Sequence, residues 1–275
     1  MDRRNFLKTG GIALLGSLAT GSAMALTTPG ALGGEGADKK AAVALAMNHF
    51  GVSEADLKKV LAAALEKGGD YADLFFEHTI SNSIRLMDGA VNNSYSNIDY
   101  GVGVRVLIGD QSGYAYVENI TVEDMLKAAR TAARIASANK GNKPLNLTEK
   151  ELKKNYYTVA SPWEEVSLKD KMPYLQKLND RIFALDKRVH KVQASQSDTT
   201  SHIFFCNSEG VMFYDYRPMV TLGAVCIMEE DGKTENGYAA RAYRRGFDFL
   251  SDEVVDVIAR EAVDQTSLLF KACLL

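Results

Sequence analysis

The 275-residue chain is poor in cysteine, has no excess of basic charge, and contains no hydrophobic run long enough to cross a bilayer. Each shortage excludes something. Its three cysteines, Cys206, Cys226 and Cys273, are odd in number and widely spaced, so no disulfide framework is implied. One Cys206–Cys226 bond stays open as an alternative in an oxidising compartment; two thiols buried in strands are the preferred reading. No cysteine closely follows the N-terminal apolar run, so a lipoprotein anchor is unsupported. Formal charge is −3; Arg3, Arg4 and Lys8 against Asp2 put +2 on the first 25 residues and leave −5 on the rest. An acidic chain of this kind lacks the basic surface that phosphate backbones require, which argues against nucleic acid as a partner.

Catalytic signatures are equally scarce. The four histidines, His49, His78, His190 and His202, include no pair at helical spacing, so no helical zinc pair exists. His78, His190 and His202 fall in or beside predicted strands, where a lone imidazole packs or faces water. There is no Gly-x-Ser-x-Gly elbow and no Ser-x-x-Lys pair, which leaves a serine nucleophile unsupported. Gly101-Val102-Gly103 lacks the third glycine and the following helix of a dinucleotide loop. Glu229-Glu230-Asp231 reads as a solvated turn before Gly232, with weak cation binding as the lesser alternative. Arg241, Arg244 and Arg245 read as a surface patch, with contact to a peptide carboxylate as the lesser alternative. The residues therefore nominate no catalytic and no metal-binding set, and they leave the substrate-binding residues unassigned.

What is present starts at the N-terminus. Arg3 and Arg4 precede Phe6, Leu7 and Lys8, and a mild apolar stretch runs from Gly10 to Ala25. This has the form of a bacterial twin-arginine export signal. The stretch is too short and too rich in Gly, Ser and Thr to span a membrane. Ala23-Met24-Ala25 places cleavage after Ala25, and the expected location is the periplasm. Residues 26–40 lack periodicity and read as a flexible linker.

The body of the chain alternates between two periods. A helix capped by Ser53 carries Leu57, Val60, Leu61 and Leu65 at helical spacing and stops at Gly68-Gly69. Period-2 patterns follow over residues 72–79, 83–87, 90–96, 101–108 and 114–117. Asp88-Gly89 marks a tight hairpin turn, because a type I′ turn needs positive φ at both central residues. Thr121, with Asp124 three residues on, caps the next helix. Residues 141–165 form a connection holding Pro144 and Pro162. The order then repeats: a helix over 168–185, strands over 189–197, 201–207, 211–216 and 219–229, and a last helix capped by Ser251. The predicted fold class is α+β, with antiparallel sheets flanked by helices in two successive helix-meander units. The predicted domains are a signal (1–25), a linker (26–40), a first α+β domain (41–140), the connection (141–165) and a second α+β region (166–275). The closing run Leu268-Leu269-Phe270-Lys271-Ala272-Cys273-Leu274-Leu275 is unusually apolar for a chain end, and it reads as a truncation before a further domain.

Within this frame, the stretch Asp70-Tyr71-Ala72-Asp73-Leu74-Phe75-Phe76-Glu77 is followed in order by Leu86-Met87-Asp88-Gly89-Ala90-Val91, Gly101-Val102-Gly103-Val104-Arg105-Val106 and Gly113-Tyr114-Ala115-Tyr116-Val117. This order resembles the N-terminal domain of the TldD/PmbA (TldD/TldE) family of bacterial metallopeptidases. Arg244-Arg245-Gly246-Phe247-Asp248-Phe249 and Ala259-Arg260-Glu261-Ala262-Val263-Asp264-Gln265 resemble the later part of the same region, so the likeness covers nearly all of 41–272. It implies a C-terminal β-rich domain whose His-Glu-x-x-x-His helix, with a cysteine further on, binds zinc and activates water. No such motif occurs in this sequence, so no catalytic residue carries over, no zinc is expected in this chain, and the chain is expected to be inactive. What the resemblance does imply is a part that encloses the chamber and holds unfolded peptide, and a homo- or hetero-dimer with a related subunit when complete. The rival reading is a standalone exported peptide-binding module without catalysis.

Overall fold

The computed structural model describes residues 39–136, 148–149 and 159–271. The predicted signal residues Arg3, Arg4, Phe6, Leu7 and Lys8, the cleavage position after Ala25, and Cys273 lie outside the described residues, as does most of the predicted linker. Two helices open the description, α1 (Lys39–Phe50) and α2 (Glu54–Leu65). At the start of α2 the Ser53 side chain accepts from the Asp56 N–H and the Asp56 carboxylate reaches back to the Ser53 N–H, a reciprocal cap worth about 1 kcal/mol.

Strands β1 (Tyr71–Met87), β2 (Ala90–Ile108) and β3 (Gln111–Val117) form the first meander. Asp88 and Gly89 both take positive φ, 50° and 78°, as the hairpin required. Helix α3 (Val122–Ile135) starts at Thr121, whose hydroxyl accepts from the Asp124 N–H. After the two-residue β4 (Thr148–Glu149) and a 3-10 turn (Trp163–Glu165), α4 (Leu168–Leu185) leads into the second meander. That meander is β5 (Val189–Asn207), β6 (Val211–Glu230) and β7 (Lys233–Tyr243). A second 3-10 turn (Phe247–Phe249) and α5 (Asp252–Lys271) complete it.

The α+β class and both helix-meander units are present, and the two meanders share one sheet. Strand β1 pairs antiparallel with β5 from Asp73↔Asn207 to Met87↔Gln193, giving the order β3-β2-β1-β5-β6, with β7 antiparallel on β6 and β4 adding a short parallel contact. The strands are longer than their sequence patterns suggested: the four expected interruptions, at 80–82, 97–100, 198–200 and 217–218, lie inside continuous strands. Pro218 is tolerated because β7 pairs with β6 only from Val220 onward, so the missing N–H falls on an open edge. Strand β7 and helix α1 had no counterpart in the sequence reading.

All helices pack on one face of the sheet, over two cores. The first gathers α1, α2 and α3 against Ala72, Leu74, Phe76, Val104 and Phe204. Rings of Phe50, Phe76 and Phe204 meet there at 5.4–6.4 Å. The second gathers α4 and α5 against Ile84, Leu86, Val192, Ala194 and Leu222. Cys206 sits in the first core and Cys226 in the second, both buried and unbonded, as the preferred reading of the cysteines held. The opposite face of the sheet is half-exposed and rich in Ser and Thr along β1 and β5. Among the described residues no helix is long and apolar enough to cross a membrane.

Candidate functional site

Between the two cores, on the helix-covered face, the long strands mix polar side chains with apolar ones. The register sets them in rows across the sheet. One row is Tyr100, His78, His202 and Tyr216; the next but one is Ser96, Asn82, Asp198 and Val220. This polar seam is where the four predicted strand interruptions fall. The sequence pattern loses its alternation there because polar side chains stand on both faces, although the backbone ladder runs straight through.

Three histidines from three elements meet in the seam. His78 of β1 is paired across the ladder with His202 of β5, and His49 arrives from the last turn of α1. The His49 ring stacks on His202 at 4.8 Å and on His78 at 5.0 Å between centroids, with interplanar angles of 26° and 29°. His49 Nε2 lies 2.8 Å from His78 Nδ1, so one of them donates and the other accepts. His202 is buried, and both its nitrogens are engaged: Nε2 lies 3.0 Å from Glu164 Oε1 and Nδ1 lies 2.7 Å from the Tyr214 hydroxyl. A carboxylate can only accept, so His202 presents N–H to Glu164 and its Nδ1 accepts from Tyr214. Glu164 also receives the hydroxyls of Tyr216 at 3.1 Å and Thr200 at 3.2 Å.

The ionisation behaviour follows from these contacts. Burial, then the neighbouring His202 and His78, hold the His49 imidazole down to about 4, against the upward pull of Glu164. His78 is lowered mainly by burial. Burial pushes the Glu164 carboxyl up, but the His202 hydrogen bond and the other donors outweigh it and leave the group below its usual value. Burial beside Glu164 raises the Tyr214 and Tyr216 hydroxyls far above the ordinary phenol range.

Beside Glu164 a second buried pair crosses the seam. Lys171 Nζ of α4 reaches Asp198 Oδ2 at 2.5 Å, and Asp198 accepts further from Asn82 and Gln196 at 2.9 Å each. The Lys171 ammonium also lies 5.3 Å from the centre of the Trp163 ring. A cleft of about 430 Å³ opens here, lined by Ile80, Asn82, Tyr95, Trp163, Glu164 and Lys171. It lies under the outer part of β2. That strand pairs with β1 along its length but with β3 only from Val102, so residues 90–101 have no strand on their outer side among the described residues.

The residues singled out in the sequence fall elsewhere. Glu229, Glu230 and Asp231 lead into the β6–β7 turn, where Asp231 and Gly232 take positive φ and Glu230 pairs with Arg188 at 2.9 Å. Arg241 pairs with Glu261 of α5, and Arg245 with Asp248. His190 lies on the surface, 3.9 Å from Glu229. Spacing along the chain gives no sign of the histidine cluster, because these partners meet only through strand register and helix docking. Among the described residues no group of three or more His, Cys, Asp or Glu is placed to hold a metal ion. In the histidine stack the facing nitrogens are already spent: His49 Nε2 and His78 Nδ1 hold each other, and Glu164 and Tyr214 engage both nitrogens of His202.

Comparison with known proteins places both units. Residues 72–136 match the PmbA/TldA metallopeptidase domain 1, and residues 161–270 match the PmbA/TldA metallopeptidase central domain. A metalloprotease TldD homolog of Haemophilus influenzae is 32% identical over 206 residues, covering 71% of this chain and 42% of that protein. A metalloprotease of Methanocaldococcus jannaschii is 25% identical over 213 residues, covering 74% of this chain and 45% of its own length. The chain thus spans less than half the length of these relatives. Among solved structures, a Thermotoga maritima protein described as a candidate modulator of a DNA gyrase superposes with a TM-score of 0.64 at 18% identity, over 81% of this chain and 49% of that one. TldE from Thermococcus kodakarensis superposes with a TM-score of 0.55 at 17% identity, over 77% of this chain and 47% of that one. At these identities the structural likeness establishes the fold.

Proposed function

The chain belongs to the PmbA/TldD metallopeptidase family, and we propose that this span of it is the chamber-forming, peptide-holding part of an exported zinc metallopeptidase. The observation that carries the reading is the open edge of β2. Along residues 90–101 the backbone groups on the outer side have no strand partner among the described residues, and Val91, Tyr95, Ile98 and Tyr100 are exposed there. An extended peptide can add to such an edge through main-chain hydrogen bonds, which tolerate many sequences. An unfolded peptide offers such a strand at any point along its length, whereas a folded protein offers one only at an exposed sheet edge, so the edge favours unfolded peptide.

The described residues do not fit a catalytic zinc: no group of three or more His, Cys, Asp or Glu among them is placed to hold a metal ion, and the facing nitrogens of the histidine stack are engaged with one another or with Glu164 and Tyr214. No hydrolytic step is assigned to them. In this proposal the metal, which would act as Lewis acid, and the water-activating glutamate belong to the part of the family's proteins outside the matched span. The family match and the likeness to TldE support a dimer with a related subunit as the working assembly. Export rests on Arg3, Arg4 and the apolar stretch to Ala25.

Strand addition is tested with paired peptides. The chain is titrated with a labelled unstructured peptide and with its twin carrying N-methyl groups at alternate backbone nitrogens, and binding is read by fluorescence anisotropy. The unmodified peptide should bind, and the N-methylated twin should lose about tenfold or more in affinity, as expected when each lost hydrogen bond contributes about 0.5–1.5 kcal/mol. Equal binding of the two peptides, or binding of neither, overturns the reading.

A further inference from the structure

Helix α1 is fastened to the rest of the molecule by few groups. Val43, Ala46 and Phe50 enter the first core, and His49 lies beside Phe50 on the two seam histidines. We propose that α1 is an acid-released strap, with His49 as the clasp that closes it over the polar seam. The proposal stands independently of peptide holding and follows from what surrounds one imidazole.

The groups facing His49 and its ring neighbours come from five other elements. They are His78 of β1, His202 of β5 and Glu164 of the 3-10 turn, with Tyr100 of β2 edge-on to His78, and Tyr214 and Tyr216 of β6 around His202. Glu164 is the single anion in this set, and its oxygens are already occupied by His202, Tyr216 and Thr200. His49 is exposed on its outer side, so water meets part of an added charge, but the inner side of the ring then sets a cation against two imidazoles while the nearby carboxylate is already engaged. A combined pull toward the cation, from the α1 dipole in its last turn and from the Glu164 carboxylate, opposes release. It is outweighed by the desolvation and the two ring neighbours that hold His49 down to about 4.

The direction of the pH effect follows. Undocked, His49 takes up a proton as pH falls through about 6.5. Docked, it stays neutral until about 4. Between these values the undocked form binds the extra proton, so docking weakens as pH falls, by up to about tenfold per unit. Above about 6.5 the clasp is fully closed. A helix of twelve residues is marginal by itself, so release also melts α1 and uncovers Phe76, Phe204 and the seam.

The test is hydrogen–deuterium exchange of residues 39–50 in the full chain at pH 7 and pH 5, corrected for the intrinsic pH dependence of amide exchange. Protection of α1 should fall about tenfold between the two, while α2 and α3 hold theirs. The variant His49→Phe keeps an aromatic ring on the stack and cannot charge; its α1 protection should not change with pH. Unchanged protection in the natural chain overturns the proposal. So does His49→Phe losing protection in acid as the natural chain does, since other groups would then drive the opening. Should His49→Phe fail to dock at all, the imidazole C2–H titration of His49 in the natural chain decides. A midpoint well below 6.5 supports the clasp, and one at or above 6.5 overturns it.

Discussion

Lys171 and Asp198 show how the seam stays folded although it is polar. Their side chains are 4% and 1% exposed, and an ion moved that far from water costs several kcal/mol even after the protein relaxes. The pair survives because each member finds more than one partner: Asn82 and Gln196 complete the carboxylate, and the Trp163 ring lies beside the ammonium. Removing one partner is then far worse than removing both. Lys171→Met should cost about 3–5 kcal/mol in urea unfolding, because it leaves a buried carboxylate without its cation. Adding Asp198→Asn should restore most of that loss, since the amide can still meet Asn82 and Gln196. If the two substitutions are simply additive, the ion pair is not what holds this part of the seam. Nothing in the sequence marks either residue: Lys171 falls within the predicted helix over 168–185, and Asp198 falls between the strands predicted over 189–197 and 201–207.

Among the elements, the helix starts were the most legible. Ser53 and Thr121 make the caps their sequences announced, because a cap is a local hydrogen bond three residues long. Val43, Ala46 and Phe50 of α1 follow helical spacing, but half of its apolar residues are small alanines spread around the helix, which blurs the pattern. The strand interruptions were misread for a different reason: a buried polar band alternates no more than a loop does. Close approach between elements also has a sequence mark that only the fold explains. A Cβ placed on Gly113 of β3 would lie 2.0 Å from the Ala132 carbonyl oxygen of α3, so glycine is what lets α3 lie against that strand. Gly113→Ala should destabilise the chain by about 2 kcal/mol or more by forcing α3 outward. The neighbouring exposed Ser112→Ala should stay within about 0.5 kcal/mol. Equal thermal midpoints for the two variants would contradict the close packing.

For the whole molecule, the decisive feature is that two cores share one sheet. Phe76 belongs to the first core and Ile182 to the second, yet β1 and β5 run through both. Separate sheets would allow the units to unfold one after the other. A ladder spanning both cores predicts one transition. Trp163, the sole tryptophan, is buried in the second core and reports on it by fluorescence, while far-ultraviolet dichroism reads both units. Phe76→Ala, which should cost about 3–5 kcal/mol, is expected to shift the Trp163 midpoint as far as the dichroism midpoint. A Trp163 transition that ignores Phe76→Ala would mean that the units unfold independently.

The sequence by itself determined the α+β class, the repeat of helix and meander, the hairpin at Asp88-Gly89, the caps, the buried thiols and the family. These are local or ordered features: a period of 2 or 3.6, a positive φ, a hydrogen bond three residues long, a succession of short motifs. Tertiary structure alone decided the joining of the meanders through β1 and β5 and the open edge of β2. It also decided the meeting of His49, His78 and His202 around Glu164. Those residues are separated by 29 to 153 positions in the chain. No local rule relates them, because strand register and the docking of α1 are set by the burial of Phe50, Phe76 and Phe204 together.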